Sequence, residues 1–199
     1  PGGDIASTQE IIANAITTGA HWYICHISLA SLSETQPMIA AARKKGAHID
    51  VEVLVSETGS TFLGAEFLAP EELPRFSRGF VSSDILYYGK PIKTDGELRR
   101  LRAEDPTAMI FLLHRDSEKN LEHRAIQRQS FDFAGVILGS DGMPWQDRQG
   151  NYIPGDAWPL PSDAWAHPRG QATYTRFLEL WVREWKEFTL MDAFRMGSY

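Results

Sequence analysis

"HWYICHISLASLSETQPMIAAARKKGAHIDVEVLV", residues 21–55, decides the fold. Its two ends, 21–28 and 48–55, are rich in β-branched and aromatic residues and read as buried strands. Between them "SETQPMIAAARKKG" (33–46) reads as a helix, with Ser33 as the expected N-cap and Gly46 following a basic last turn. Two strands linked by a helix make a right-handed βαβ unit, and that unit implies a parallel sheet.

The pattern extends in both directions. Upstream, "TQEIIANAITTGA" (8–20) carries Ile11, Ile12, Ala15 and Ile16 at helical spacing and stops at Gly19. Downstream, 55–106 reads as an irregular insertion of short turns with Gly and Pro, closing on a helix in "DGELRRLRAEDP". "TAMIFLLH" (107–114) reads as a strand, "SEKNLEHRAIQ" as a helix and "AGVILGS" (134–140) as a buried strand. The Pro-, Gly- and Trp-rich stretch 142–170 reads as an active-site loop, for which Trp145, Trp158 and Trp165 argue order. "TYTRFLELWVREWKEF" (173–188) is an amphipathic helix presenting Phe177, Leu180, Trp181 and Trp185, and "TLMDAFRM" opens another capped by Thr189.

Alternating strands and helices indicate an α/β architecture, whose chemistry gathers at the carboxyl ends of the strands. His26 ends the first strand, Ser56 and Glu57 follow the second, His114 ends the third and Asp141 the fourth.

With 199 residues, 43% of them hydrophobic, the chain suffices for one domain or for part of a larger one. A net charge of −6 leaves no basic surplus for phosphates, which argues against nucleic acid or an anionic membrane as partner. Arg43-Lys44-Lys45 and Arg99-Arg100 read as solvated helix faces. Cys25 is the single cysteine, so no internal disulfide forms, and a reducing, cytoplasmic setting is expected. No stretch has the apolar length of a membrane span and no signal peptide is read. The ends "PGGD" and "DAFRMGSY" read as cut, as in a fragment, a processed product or a split subunit.

Each candidate residue has a plainer alternative. Asp141 follows an apolar strand, where an ionised carboxylate needs a pair, hydrogen bonds or a metal, yet Ser-Asp-Gly is also ordinary turn chemistry. His26 offers the commonest side-chain metal ligand, or a hydrogen-bonded structural imidazole. His167-Pro168-Arg169 closes the long loop with a guanidinium fork suited to a carboxylate, or with a helix-start motif. His21 and His48 begin strands and read as structural, His114 stays open and His123 reads as surface. Ser28, Ser31 and Ser140 form no nucleophile elbow, and neither a phosphate-binding glycine loop nor zinc-finger spacing is present.

In order and type, "TGAHWYICHIS", "VEVLVSETGST", "VILGSDGMPW" and "HPRGQATYTRFLELWVRE" resemble the C-terminal part of the D-aminoacylase (N-acyl-D-amino-acid deacylase) branch of the amidohydrolase superfamily. The Trp-containing insertion and Ser28, where general D-aminoacylases carry Lys, are similar to the N-acyl-D-glutamate deacylase subgroup. The resemblance implies a TIM-type (β/α)₈ barrel, of which this chain holds about the sixth to eighth strands. It implies one or two zinc ions held by His26 and Asp141, with the remaining ligands upstream of this chain. Asp141 becomes the general base and then acid, Arg169 the partner of the substrate carboxylate, and His167 and Ser28 its companions at the substrate. The implied reaction is zinc-dependent hydrolysis of N-acyl-D-amino acids to a carboxylate and a free D-amino acid. The rest of the barrel is supplied in cis or as another chain. A cyclic amidase of the dihydroorotase or hydantoinase kind, or a non-catalytic half-barrel acting as a subunit or binding module, are the alternatives.

Overall fold

The computed structural model describes residues 5–27, 29–76, 80–113 and 116–198. In chain order the first elements are α1 (Ile5–Thr18), β1 (Trp22–Ile24), α2 (Leu32–Lys44), β2 (Ile49–Leu54), β3 (Thr58–Phe62), α3 (Leu73–Phe76), β4 (Ile85–Tyr87) and β5 (Lys90–Pro91). Then follow α4 (Asp95–Glu104), β6 (Met109–Leu113), α5 (Leu121–Ser130), β7 (Ile137–Gly139), α6 (Arg169–Phe177), a π-helical segment (Leu178–Glu184) and α7 (Leu190–Gly197). The chain divides into two compact units: one of Pro1–Val55, Ser117–Asp141 and Gln171–Tyr199, the other of Ser56–Asp116 and Gly142–Gly170.

The first unit is built on a parallel sheet in the order β1-β2-β7, so the βαβ reading of 21–55 holds. Side chains alternate across a strand. Ile24, Ile49, Val51, Val53 and Leu138 are all buried, in one cluster with Ala15 of α1, Ile39 of α2, Phe177 of α6 and Met196 of α7. The alternate positions, among them Tyr23, Asp50, Glu52 and Ile137, face the other way and keep part of their surface exposed. Gly19 and Gly46 end α1 and α2 with φ of 66° and 91°, a left-handed turn that glycine adopts without strain. Thr189 caps α7 as expected, accepting from the Asp192 amide at 3.1 Å.

Two local readings change. Helix α2 starts at Leu32 with Ser31 at its N-cap, while Ser33 Oγ donates to Glu34 Oε2 at 2.7 Å. Serines at 31 and 33 give the same sequence signal, and the apolar anchor Leu32, 2% exposed, selects the earlier start. Arg43 is not a solvated charge: its Nε donates to the Ile49 carbonyl at 2.8 Å and its Nη1 to that of Ala134 at 2.6 Å. The guanidinium thereby ties the entry of β2 to the approach to β7.

The second unit holds an antiparallel sheet in the order β3-β6-β4-β5, with its own apolar core that includes Leu63, Leu73, Ile85, Leu98 and Ile110. The strand expected over 107–114 forms as β6 within Met109–Leu113, and it belongs to this sheet and not to the parallel one. Residues 55–106, expected to be irregular, contribute β3, β4, β5 and α4. In the long loop, Trp165 is held by paired backbone bonds with Gln146 and stacks on Phe111 with ring centroids 5.1 Å apart. Trp158 is 87% exposed and adds nothing to that order.

The helix expected over 173–188 begins at Arg169 and winds as π-helix from Leu178. That winding brings Phe177, Leu180 and Trp181 all into the core, where Phe131 meets the rings of Phe177 and Trp181 edge-on. Among the described residues no helix is long and apolar enough to cross a membrane.

Candidate functional site

The carboxyl ends of β1 and β7 each run two residues past the strand and place a polar side chain there: His26 after Ile24, Asp141 after Gly139. Both residues have left-handed backbone, with φ of 57° and 45°. Non-glycine residues rarely adopt that region, at a cost of about 1–3 kcal/mol each, and such strain gathers at functional sites. Tyr88 and Lys186 share it, the first beside Gly89 in the β4–β5 turn and the second after the π-helical segment, where chain reversal accounts for it.

The outcome is convergence. His26 Nε2 lies 3.5 Å from Asp141 Oδ1, although β2 intervenes between the two strands. The backbone just after His26 is tied down, since the Ile27 amide donates to the Glu52 carbonyl at 3.1 Å. The other imidazole nitrogen, Nδ1, stands 3.0 Å from Glu52 Oε1, and Glu52 Oε2 accepts from the Tyr23 hydroxyl at 3.1 Å. Neither Glu52 nor Tyr23 was expected from the sequence. The available signal was the alternation of "IDVEVLV", which sets Asp50 and Glu52 on the face opposite the apolar core.

The acids create a negative field. Burial pushes the Cys25 thiol up, and the carboxylates of Glu52 and Asp141 push it further. Burial and then Glu52 likewise raise the Tyr23 hydroxyl well above its ordinary range. A cation is favoured in such surroundings. The geometry also fits one. Two donors bound to one tetrahedral zinc ion at about 2.0–2.2 Å lie about 3.3–3.5 Å apart, which is the separation of Nε2 and Oδ1. Among the described residues no three His, Cys, Asp or Glu side chains are grouped to hold an ion, and those residues bring a pair of donors.

His167 and Arg169 belong to the second unit, where both are buried, at 5% and 4% exposed. His167 Nδ1 accepts from the Arg169 amide at 3.0 Å, its ring sits 4.6 Å from that of Phe111, and Arg169 Nη1 donates to the Thr58 carbonyl at 3.3 Å. Ser28 and His114 lie outside the described residues. His21 pairs with Asp50 at 2.8 Å and stands edge-on to His48, at the strand ends remote from His26. His123, expected at the surface, is half-buried on α5.

Neither a protein-family model nor a curated protein matches the sequence. Solved structures do match the fold. N-acyl-D-glutamate deacylase from Bordetella bronchiseptica, complexed with zinc and a phosphonate mimic of the reaction's tetrahedral intermediate, superposes with a TM-score of 0.61 at 22% identity. That match covers 96% of this chain and 37% of the other. A D-aminoacylase that defines a subset of the amidohydrolases superposes at 0.64 with 17% identity, over 98% of this chain and 39% of its own. A D-aminoacylase structure concerned with its binuclear metal centre gives 0.61 and 17%, over the same shares. The resemblance to the D-aminoacylase branch read from the sequence thus has a counterpart in three dimensions, and the chain spans under two-fifths of the length of these proteins.

Proposed function

We propose that this chain is the C-terminal part of a TIM-type barrel, about its sixth to eighth strands, in a zinc-dependent hydrolase of N-acyl-D-amino acids. The single observation that carries the reading is the approach of His26 Nε2 and Asp141 Oδ1 to 3.5 Å at the carboxyl ends of two parallel strands. The likeness to the deacylase structures supports it at the level of fold.

In this reading β1, β2 and β7 are the sixth, seventh and eighth barrel strands, 142–170 is the active-site loop, and polypeptide outside this chain supplies the remaining ligands. His26 and Asp141 would hold the ion. Bound there, zinc would polarise the scissile carbonyl and let water attack near neutral pH. Asp141 takes the proton from the attacking water and returns it to the departing amine, so that a carboxylate and a free D-amino acid leave. Arg169 fixes the substrate carboxylate, with His167 and Ser28 beside it, so that one enantiomer presents its amide. N-acyl-D-glutamate is the substrate that the subgroup resemblance favours, and a cytoplasmic setting accompanies the lone Cys25.

The test uses the full-length protein with N-acetyl-D-glutamate, N-acetyl-D-leucine and hydantoin as substrates, before and after zinc is removed by a chelator. Zinc-dependent release of a D-amino acid, fastest from the glutamate derivative, is the expected result. Preferential ring opening of hydantoin, or undiminished turnover without metal, would count against the assignment.

A further inference from the structure

Glu52 has no part in the chemistry above, and its surroundings give it one. With Asp50 it is one of the two acids of the middle strand β2. Its side chain is 16% exposed, against 42% for His26 and 33% for Asp141. A carboxylate so far from water needs donors. Tyr23 provides one to Oε2 at 3.1 Å. Oε1 accepts no hydrogen bond, although His26 Nδ1 stands 3.0 Å away. The two atoms stand at hydrogen-bond separation without the geometry of a hydrogen bond. Room for the carboxylate exists because residue 139 is glycine: a Cβ there would fall inside the Glu52 carboxyl group.

The two nitrogens of an imidazole are coupled. A proton donated from Nδ1 leaves Nε2 with its lone pair, and ligating histidines are generally oriented by a carboxylate or carbonyl on the second nitrogen. In His26, Nδ1 faces Glu52 and Nε2 faces Asp141. We infer that Glu52 is a positioning residue for His26: its Oε1 accepts the Nδ1 proton and fixes the tautomer in which Nε2 is the ligand. Tyr23 anchors the opposite oxygen, and the missing side chain at Gly139 houses the group. The inference rests on the proposed role of His26 as a zinc ligand.

The experiment measures zinc affinity of the full-length protein by competition with a chelator, with circular dichroism as the control for folding. Glu52→Ala is expected to weaken zinc binding about 10- to 100-fold, the usual effect of losing such an outer partner. Glu52→Gln, whose amide oxygen still accepts from Nδ1, is expected to recover most of that loss, and Tyr23→Phe to lose less than Glu52→Ala. Where Glu52→Ala does not fold, Glu52→Leu, of similar size and suited to a strand, replaces it. Zinc affinity within about twofold of the unaltered protein in the Ala or Leu variant overturns the inference. So does a Gln variant as weak as Ala, since the group then acts through its net charge alone. His26→Ala separates the two levels. If it strips zinc while Glu52→Ala does not, the positioning role alone is lost; if it leaves zinc in place, both readings are lost.

Discussion

The middle strand of the parallel unit, β2, and strand β6 of the antiparallel unit are buried differently. Along β2, burial alternates strictly from Ile49 to Leu54, whereas β6 is buried at each of Met109, Ile110, Phe111 and Leu112. Alternation frees one face of a sheet, and in the first unit that face carries Tyr23 and Glu52 beside the strand-end groups His26 and Asp141. A strand buried on both faces has no face to give to polar chemistry. In the second unit the polar candidates His167 and Arg169 come from the end of the loop, not from the strands. Under the proposed function the parallel unit carries the bond-breaking step, and the antiparallel unit contributes recognition and framework.

The sharpest way to break that division is Asp141→Asn in the full-length protein. Loss of a general base and acid lowers turnover by about 10²- to 10⁴-fold. Zinc content measured on the same sample should stay near that of the unaltered protein, because the amide oxygen remains a donor and the other ligands persist. Turnover preserved at neutral pH would remove Asp141 from the chemistry.

A framework substitution should behave in the opposite way. Ile110 is fully buried in the antiparallel core, and truncating it to Ala should lower stability by about 2–5 kcal/mol. Denaturant melts give the size of the loss, and hydrogen exchange should locate it in β3, β4 and β6, the strands that β6 joins. At a temperature where the variant is folded, kcat should be unchanged. A kcat that falls with stability intact would show that the antiparallel unit takes part in catalysis.

Recognition gives a smaller and more selective effect. Arg169→Lys replaces a two-pronged donor with a point charge. For N-acyl amino acids KM should rise about 10- to 100-fold, the worth of one charge-assisted hydrogen bond. Amides lacking the carboxylate should be little affected. An equal rise for both classes would mean that the buried guanidinium serves structure through its bond to Thr58, and not the substrate.

What was legible in the sequence follows the same division. The parallel strands are joined by a local βαβ connection, so 21–55 declares β1, α2 and β2 within one stretch. The strand-end rule then puts His26 and Asp141 on a short list with Ser56, Glu57 and His114, without any knowledge of distance. The antiparallel sheet was not legible, because β3 pairs with β6 across some fifty residues, as Ser60 opposite Phe111. The apolar run "MIFLL" suits a buried strand of either sheet equally well. Glu52 escaped for another reason. An acid in a strand reads as a solvent-facing position, and what makes it otherwise is the absence of a Cβ at Gly139, eighty-seven residues away. Arg43 was missed in the same way, since its acceptors are backbone carbonyls that carry no side-chain signature.

The smallest expected effect compares a feature that both units share, a tyrosine hydrogen-bonded to a carboxylate: Tyr23 on Glu52 at 3.1 Å and Tyr87 on Asp105 at 2.8 Å. In the second unit, burial first and then the Asp105 hydrogen bond push Tyr87 up to about 12. An unfolded tyrosine loses its proton near about 10. The folded state therefore holds the Tyr87 proton more tightly. That contribution to stability is complete below about pH 10 and is lost as the pH rises through about 12. A spectroscopic titration of phenolate should show one tyrosine fewer ionising late in Tyr87→Phe, and the alkaline decline of stability should flatten. Zinc affinity should not move, because Tyr87 donates to Asp105 and not to Glu52, whereas Tyr23→Phe acts on the partner of His26. Should Tyr87→Phe weaken zinc as much as Tyr23→Phe does, the separation of framework from chemistry between the two units would fail at its most local point.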